Sequence, residues 1–326
     1  MGYLENGVWH KGWSGRHDPR GEFVRRDSQF RARVTADGSS GYRAEPGRYH
    51  LYASLACPWA HRAVIYRKLK GLEDIISVSI VGPLMLEDGW EFTDGPGCVP
   101  DTINGARYLR EVYTQVEPKY SGRVTVPALW DKATGAIVNN ESSEIIRMLG
   151  GEFEAFANSH EDYYPQALRT EIDAVNELVY ANVNNGVYRA GFATTQEAYE
   201  RAFNALFSAL EQLESRLGRS RYVAGERITE ADWRLFPTLV RFDAVYHGHF
   251  KCNLRRIVDY PNLSNYLRDL YQVPGVATTV DMDHIKRHYY ASHLHMNPTG
   301  IVPAGPELDF MAPHDRGRKF ASVRTA

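Results

Sequence analysis

At Gly150-Gly151 the hydrophobic period of the chain changes, and that switch constrains the fold more than any other feature. Before it, short runs dense in β-branched residues alternate with helical stretches. After it, apolar residues recur at helical spacing through 167–183, 198–217, 233–245 and 263–270. A chain of 326 residues supplies enough material for two cores. The expected architecture is therefore an α/β first half followed by an all-helical second half.

The first half can be read element by element. Tyr49-His50-Leu51-Tyr52-Ala53-Ser54 reads as a strand, and after the turn Leu55-Ala56 a helix opens at Cys57-Pro58. That helix is expected to run to about Lys70 and stop at Gly71. Residues 75–81 form a second strand, and 82–105 an insert marked by Gly82-Pro83, Asp88-Gly89 and Asp94-Gly95-Pro96-Gly97. A helix carrying Tyr108, Val112 and Val116 follows, then strands at 124–131 and 136–138 and a helix starting at Glu141-Ser142-Ser143. The order is β-α-β, insert, α, then β-β-α. The α/β domain thus spans 49–150, preceded by an irregular arm over 1–48 that lacks a clear period. A linker at 151–162 leads to the helical domain at 163–290. A proline-spaced, extended tail over 291–326 ends the chain. Within the helical half, Thr229-Glu230-Ala231-Asp232 reads as a capping box: Thr229 caps and Asp232 reaches back, with Ile228 and Trp233 at the staple positions.

Composition excludes several classes. A net charge of -2 argues against a nucleic-acid partner held by bulk electrostatics, and the pairs Arg25-Arg26 and Arg255-Arg256 read as solvated surface. No apolar stretch is long enough to span a membrane, and no secretory signal precedes the fold. The three cysteines, Cys57, Cys98 and Cys252, do not make a disulfide framework, so a reducing cytoplasm is the expected setting. His284 and His288 stand at i, i+4, followed by His293 and His295, without the carboxylate spacing of a zinc motif. They read as a surface helix, and no metal is expected. No Ser-His-Asp hydrolase motif, phosphate loop or Gly-x-Gly-x-x-Gly pattern occurs.

Cys57 carries the chemistry. A thiol at the first turn of a helix faces unpaired backbone N–H groups and the positive end of the dipole, which favour its thiolate. Pro58 suits the first helical position. Ala60 stands where a dithiol protein would carry its second sulfur, so a reactive Cys57 needs a thiol from another molecule. The alternative for Cys57 is a buried, inert thiol at a tight turn; Cys98 and Cys252, without a helix-start context, read as ordinary thiols. His61 and Arg62, one turn on, serve either the local field or packing.

A lone thiol at a helix start, Val126-Pro127 before a strand, Glu141-Ser142 before a helix and Thr229-x-x-Asp232 in a helical half together resemble a cytosolic glutathione transferase. The string Cys57-Pro58-Trp59-Ala60-His61-Arg62 narrows the resemblance to the xi class, the glutathionyl-hydroquinone reductases. It extends over essentially the whole chain. It implies a thioredoxin-like, glutathione-binding N-terminal domain and an all-α, hydroquinone-binding C-terminal domain. Glutathione is the implied co-substrate and S-glutathionyl hydroquinones the implied partners, with a homodimer as the usual assembly.

The same resemblance assigns roles. Cys57 is the nucleophile. Val126, before a proline that the family holds cis, pairs its backbone with the cysteinyl part of glutathione; the residues alone equally allow a trans proline at a strand start. Glu141 takes the γ-glutamyl ammonium and Ser142 its carboxylate; the residues alone equally allow a plain helix cap. Trp90, Arg123, Val124 and Thr125 line the rest of the glutathione site, Arg123 meeting a peptide carboxylate. Tyr188 is the proton donor. Tyr246 and Tyr289 sit near the cysteine, where phenol hydroxyls lower its pKa or hold a hydroquinone oxygen; Tyr290 next door leaves open which of that pair faces the site. Two other readings share these residues: an omega-like monothiol thioltransferase or dehydroascorbate reductase, and a non-catalytic glutathione-binding protein.

Overall fold

Strand β1 (Tyr49–Ala53) is buried along its whole length, because it lies in the middle of a four-stranded sheet covered on both faces. It pairs in parallel with β2 (Ser77–Ile80) and antiparallel with β3 (Ala128–Asp131), which pairs antiparallel with β4 (Ala136–Asn139). The sheet order is β4-β3-β1-β2. Helix α1 (Pro58–Leu69) connects the parallel pair; α2 (Leu109–Val116) and α3 (Ser142–Arg147) complete a thioredoxin-like unit. Helix α1 closes at Lys70, and Gly71 follows at φ +64°, a left-handed turn that glycine adopts without cost. This computed structural model describes residues 2–12 and 16–321.

Two strands are shorter than their sequence suggests. The strand expected over 75–81 begins at Ser77 because the N–H groups of Ile75 and Ile76 turn back to Leu72 O, at 3.1 and 2.8 Å. The strand expected over 124–131 begins at Ala128, since Pro127 has no N–H to give the ladder and Thr125 O accepts instead from Tyr113 OH at 2.7 Å. The arm at 1–48 is more regular than expected. Gly2–Glu5 and Val8–Lys11 form a hairpin across Asn6-Gly7, both at positive φ (50° and 81°). Asn-Gly is a strong signal for such a two-residue turn. Further short pairings join Arg16–His17 to Phe23–Val24 and Val34–Thr35 to Tyr42–Arg43. The insert is also more than a loop, because Met85–Leu86 pairs with Gly89–Trp90.

The sheet buries a titratable group. His50 on β1 is 1 % exposed, with Nδ1 2.8 Å from Ser77 Oγ and Nε2 3.0 Å from Ser79 Oγ. Burial pushes its pKa down from 6.5 to about 4. A histidine held neutral in the fold contributes stability that is complete above pH 6.5 and is lost as pH falls towards 4. The wild type is expected to lose about 2–3 kcal/mol through this residue over that window, and His50→Gln to lose correspondingly less. Urea denaturation of both at pH 7 and pH 4.5 checks this, and equal losses in the two proteins would refute it.

By contacts the chain forms two units. One comprises Met1–Gly15, Arg25–Glu161 and Thr278–Pro303, the other Arg16–Val24, Asp162–Ala277 and Ala304–Ala326. These units divide the chain differently from the linear boundaries at 48, 150, 162 and 290: the arm is shared between them, and 278–290 goes with the first.

The second unit is helical: α4 (Arg169–Val179), α5 (Gly186–Gly191), α6 (Gln196–Leu217), α7 (Glu230–Arg241) and α8 (Pro261–Tyr271). The helices expected over 167–183 and 233–245 both finish in wider π-helical turns, Tyr180–Asn184 and Phe242–Tyr246. The capping box is present at the start of α7. Thr229 donates its N–H (2.7 Å) and hydroxyl (3.0 Å) to Asp232 Oδ2. Asp232 Oδ1 accepts from Val223 N–H at 3.0 Å and Tyr266 OH at 2.7 Å. The carboxyl is fully buried, and burial pushes its pKa up while these four donors pull against it.

Candidate active site

Cys57 sits where β1 gives way to α1. Its N–H bonds back to Ser54 O at 3.3 Å, and its carbonyl accepts the His61 N–H at 3.0 Å. Its backbone is extended (φ -78°, ψ 121°), so it is the last residue before the helix, with Pro58 in the first turn and no acidic side chain there. The thiol is half-buried. Its Sγ lies 3.5 Å from the carbonyl oxygen of Val126, and the Val126-Pro127 bond is cis. Cys252, by contrast, is fully buried, and burial pushes its thiol far above the ordinary range.

Two residues left open by the sequence have defined places. His61 is buried, with Nε2 2.8 Å from Thr279 Oγ1. Arg62 is buried, places its guanidinium 4.6 Å from the Trp59 ring centroid and donates to Ser142 Oγ at 3.3 Å. Arg25, from the arm, lies 4.7 Å from the same ring.

Glu141 caps α3: its Oε1 accepts from Ser143 N–H and Ser143 Oγ, both at 3.0 Å. Ser28 Oγ donates to Oε2 at 3.2 Å. Capping fixes the carboxylate orientation beside the buried Ser142. Val124 and Val126 are buried, while Arg123 and Thr125 are half-buried. This segment is gripped by Tyr113, a residue that no sequence motif singles out. The Tyr113 hydroxyl donates to Thr125 O at 2.7 Å, accepts Thr125 N–H at 3.3 Å and accepts Asn140 Nδ2 at 3.2 Å. The only signal for Tyr113 was apolar spacing on α2, which reads as core.

Trp90 is 6 % exposed, and its ring stacks on His288 with centroids 4.9 Å apart and planes at 18°. Tyr289 is buried and Tyr290 half-buried. His284 and His288 are not on a surface helix as the sequence suggested; both are buried on the helix Met282–Ser292. Among the described residues, no group of three or more His, Cys, Asp or Glu could hold a metal ion.

In the helical unit, Tyr188 on α5 and Tyr246 at the end of the second π-helical turn come together, ring centroids 6.1 Å apart. Phe250 lies 5.5 Å from each, stacked on Tyr246 at 19°. Gly191 makes this packing possible, because a Cβ there would overlap the Phe250 ring.

Comparison with known proteins identifies the family. Residues 56–152 match the family Glutathione S-transferase, N-terminal domain, and residues 196–269 the family Glutathione S-transferase, C-terminal domain. The glutathionyl-hydroquinone reductase PcpF of Sphingobium chlorophenolicum is 58% identical over 306 residues, covering 94% of this chain and 96% of that protein. The glutathionyl-hydroquinone reductase YqjG of Escherichia coli is 54% identical over 327 residues, covering 98% and 100%. The glutathione-bound structure of YqjG superposes with a TM-score of 0.91 at 52% identity, over 98% of this chain and 100% of that one. A xi-class enzyme from Natrialba magadii superposes with a TM-score of 0.92 at 49% identity, over 98% and 97%. At this identity over nearly the whole length, the chain belongs to the glutathione S-transferase family, in its xi class of glutathionyl-hydroquinone reductases.

Proposed function

We propose that the protein reduces S-glutathionyl hydroquinones to hydroquinones with glutathione. The observation that carries this reading is Cys57: a half-buried thiol at the start of a helix with no acidic residue in its first turn, 3.5 Å from the Val126 carbonyl, with the buried Ala60 where a resolving cysteine would stand. Family membership adds glutathione as the external thiol.

The chemistry balances in two steps. The Cys57 thiolate attacks the substrate's glutathionyl sulfur; the carbon–sulfur bond breaks and its electron pair leaves with the ring carbon, which takes a proton from Tyr188. The ring is reduced, and the two sulfurs are oxidised to a Cys57–glutathione disulfide. A second glutathione thiolate attacks that disulfide, releasing oxidised glutathione and the Cys57 thiolate. Val126, Glu141, Ser142, Trp90, Arg123, Val124 and Thr125 hold the glutathionyl part. Tyr246 and Tyr289 favour the thiolate and contact the ring. The reading includes a homodimer in a reducing cytoplasm.

Product analysis on a panel of glutathionyl hydroquinones tests it: each should yield hydroquinone and oxidised glutathione, faster than the protein reduces a simple glutathione mixed disulfide. The reverse preference would favour an omega-like thioltransferase. Tyr188→Phe is expected to slow release of hydroquinone about 100-fold while leaving reduction of the mixed disulfide unchanged. Equal slowing of both reactions would remove Tyr188 as the acid.

A further inference from the structure

The helix Met282–Ser292 places His284, His288 and Ser292 at i, i+4 and i+8, in one row on one face. Each makes a hydrogen bond to the backbone of the insert. His284 Nε2 lies 2.7 Å from Pro96 O, and His288 Nδ1 lies 3.1 Å from Pro83 O. A carbonyl only accepts, so these are the protonated nitrogens. Ser292 Oγ accepts the Met85 N–H at 2.9 Å. Between these anchor points lies the hairpin that carries Trp90, whose indole stacks on the middle member of the row, His288. The fit is close at the far end too. Gly97 has φ +73°, and a Cβ there would lie 2.8 Å from Asp281 Oδ2 and 2.9 Å from His284 Nε2.

We infer that this row is a strap that sets the position of Trp90, and that His288 is a positioning residue for glutathione binding. The inference rests on the proposed role of Trp90 as a glutathione contact. The mechanism above uses none of the three residues. An imidazole suits the middle position: one nitrogen fixes the ring to the Pro83 carbonyl, and its flat face then defines the plane in which the indole must lie. Without the ring, Trp90 loses the surface that orients it, while Cys57 and the γ-glutamyl cradle are untouched.

The test is equilibrium binding of glutathione by calorimetry, with every variant in a Cys57→Ser background so that no disulfide forms. Trp90→Ala and His288→Ala are each expected to weaken binding about fivefold to tenfold. The double variant is expected to bind no more weakly than Trp90→Ala, since His288 acts through that indole. His288→Phe keeps a flat ring under Trp90 and is expected to recover most of the loss. With Cys57 restored, His288→Ala should raise KM for glutathione with little change in kcat. Additive losses in the double variant, or parental binding by His288→Ala while Trp90→Ala is weakened, would overturn the inference. Parental binding by Trp90→Ala is a different failure: it would sink the role given to Trp90, and the strap's function with it. Should His288→Ala not fold, Ser292→Ala removes one hydroxyl from the same row; it is expected to weaken binding about threefold, and unchanged binding would count against the strap.

Discussion

Replacing Cys57 by serine is expected to end turnover: release of hydroquinone from a glutathionyl hydroquinone should fall by about 10⁴-fold or more. The attacking atom must become one half of a disulfide, and a serine oxygen forms no such bond with the substrate's sulfur. A serine hydroxyl is also many orders weaker an acid than a thiol, so it supplies almost no anionic nucleophile at neutral pH. Neither other thiol is a substitute in kind: Cys252 is sealed in the core, and Cys98 stands in the turn of the insert, its Sγ 3.6 Å from Thr93 Oγ1. Chromatographic quantification of hydroquinone and oxidised glutathione provides the readout, with intact mass showing a glutathione adduct on wild type only. Release by the serine protein within about tenfold of wild type would exclude Cys57 as the nucleophile.

The largest effect on stability is expected at Asp232. Asp232→Ala strips the acceptor from Thr229 N–H, Thr229 Oγ, Val223 N–H and Tyr266 OH at once, and all of these are buried. Orphaned buried donors cost about 1–3 kcal/mol each, partly shared, so a loss of about 3–5 kcal/mol is expected. Asp232→Asn retains one acceptor oxygen but points an NH₂ group at part of the donor set, and should lose about half as much. Urea denaturation followed by circular dichroism measures both. A loss below about 1 kcal/mol for the alanine variant would show that the network relaxes around the gap. The contrast with Cys57→Ser is useful, because that change alters one atom at a half-buried position and should leave the denaturation midpoint nearly unchanged.

Much of this was legible in the sequence because it is written in local chemistry. Cys57-Pro58, Gly71 and Thr229-x-x-Asp232 each satisfy backbone groups at a helix end, and helix ends have short signatures. The alternation of the first half and the helical spacing of the second gave the two fold classes for the same reason. The strap escaped because it speaks to backbone. Pro83, Met85 and Pro96 offer a carbonyl, an N–H and a carbonyl, groups that every chain has, so nothing in the insert announces its partner. Two histidines four apart look the same on a wet helix and on one pressed against a loop. Tyr113 escaped likewise: its apolar ring fits the period of α2, and only its hydroxyl, reaching Thr125, has a task. The Asn6-Gly7 hairpin is different. Its turn signal was present, but strands of four residues are too short to show a period in a region rich in glycine and arginine.

The way the chain threads its two units has a consequence for how such a protein can change. Counting along the chain, the segments alternate between the units from the N-terminus to the C-terminus, and no single stretch holds either unit whole. A cut or crossover near 161 therefore does not deliver two transferable cassettes. A chimaera that takes 1–161 from one relative and the remainder from another would inherit its insert from the first parent and its strap, at 282–292, from the second. During synthesis the same order applies: the hairpin bearing Trp90 leaves the ribosome long before the residues that hold it, and the entire 162–277 segment is made in between. The strap at 282–292 is thus made only after 162–277, and a crossover between the two separates it from the hairpin it touches.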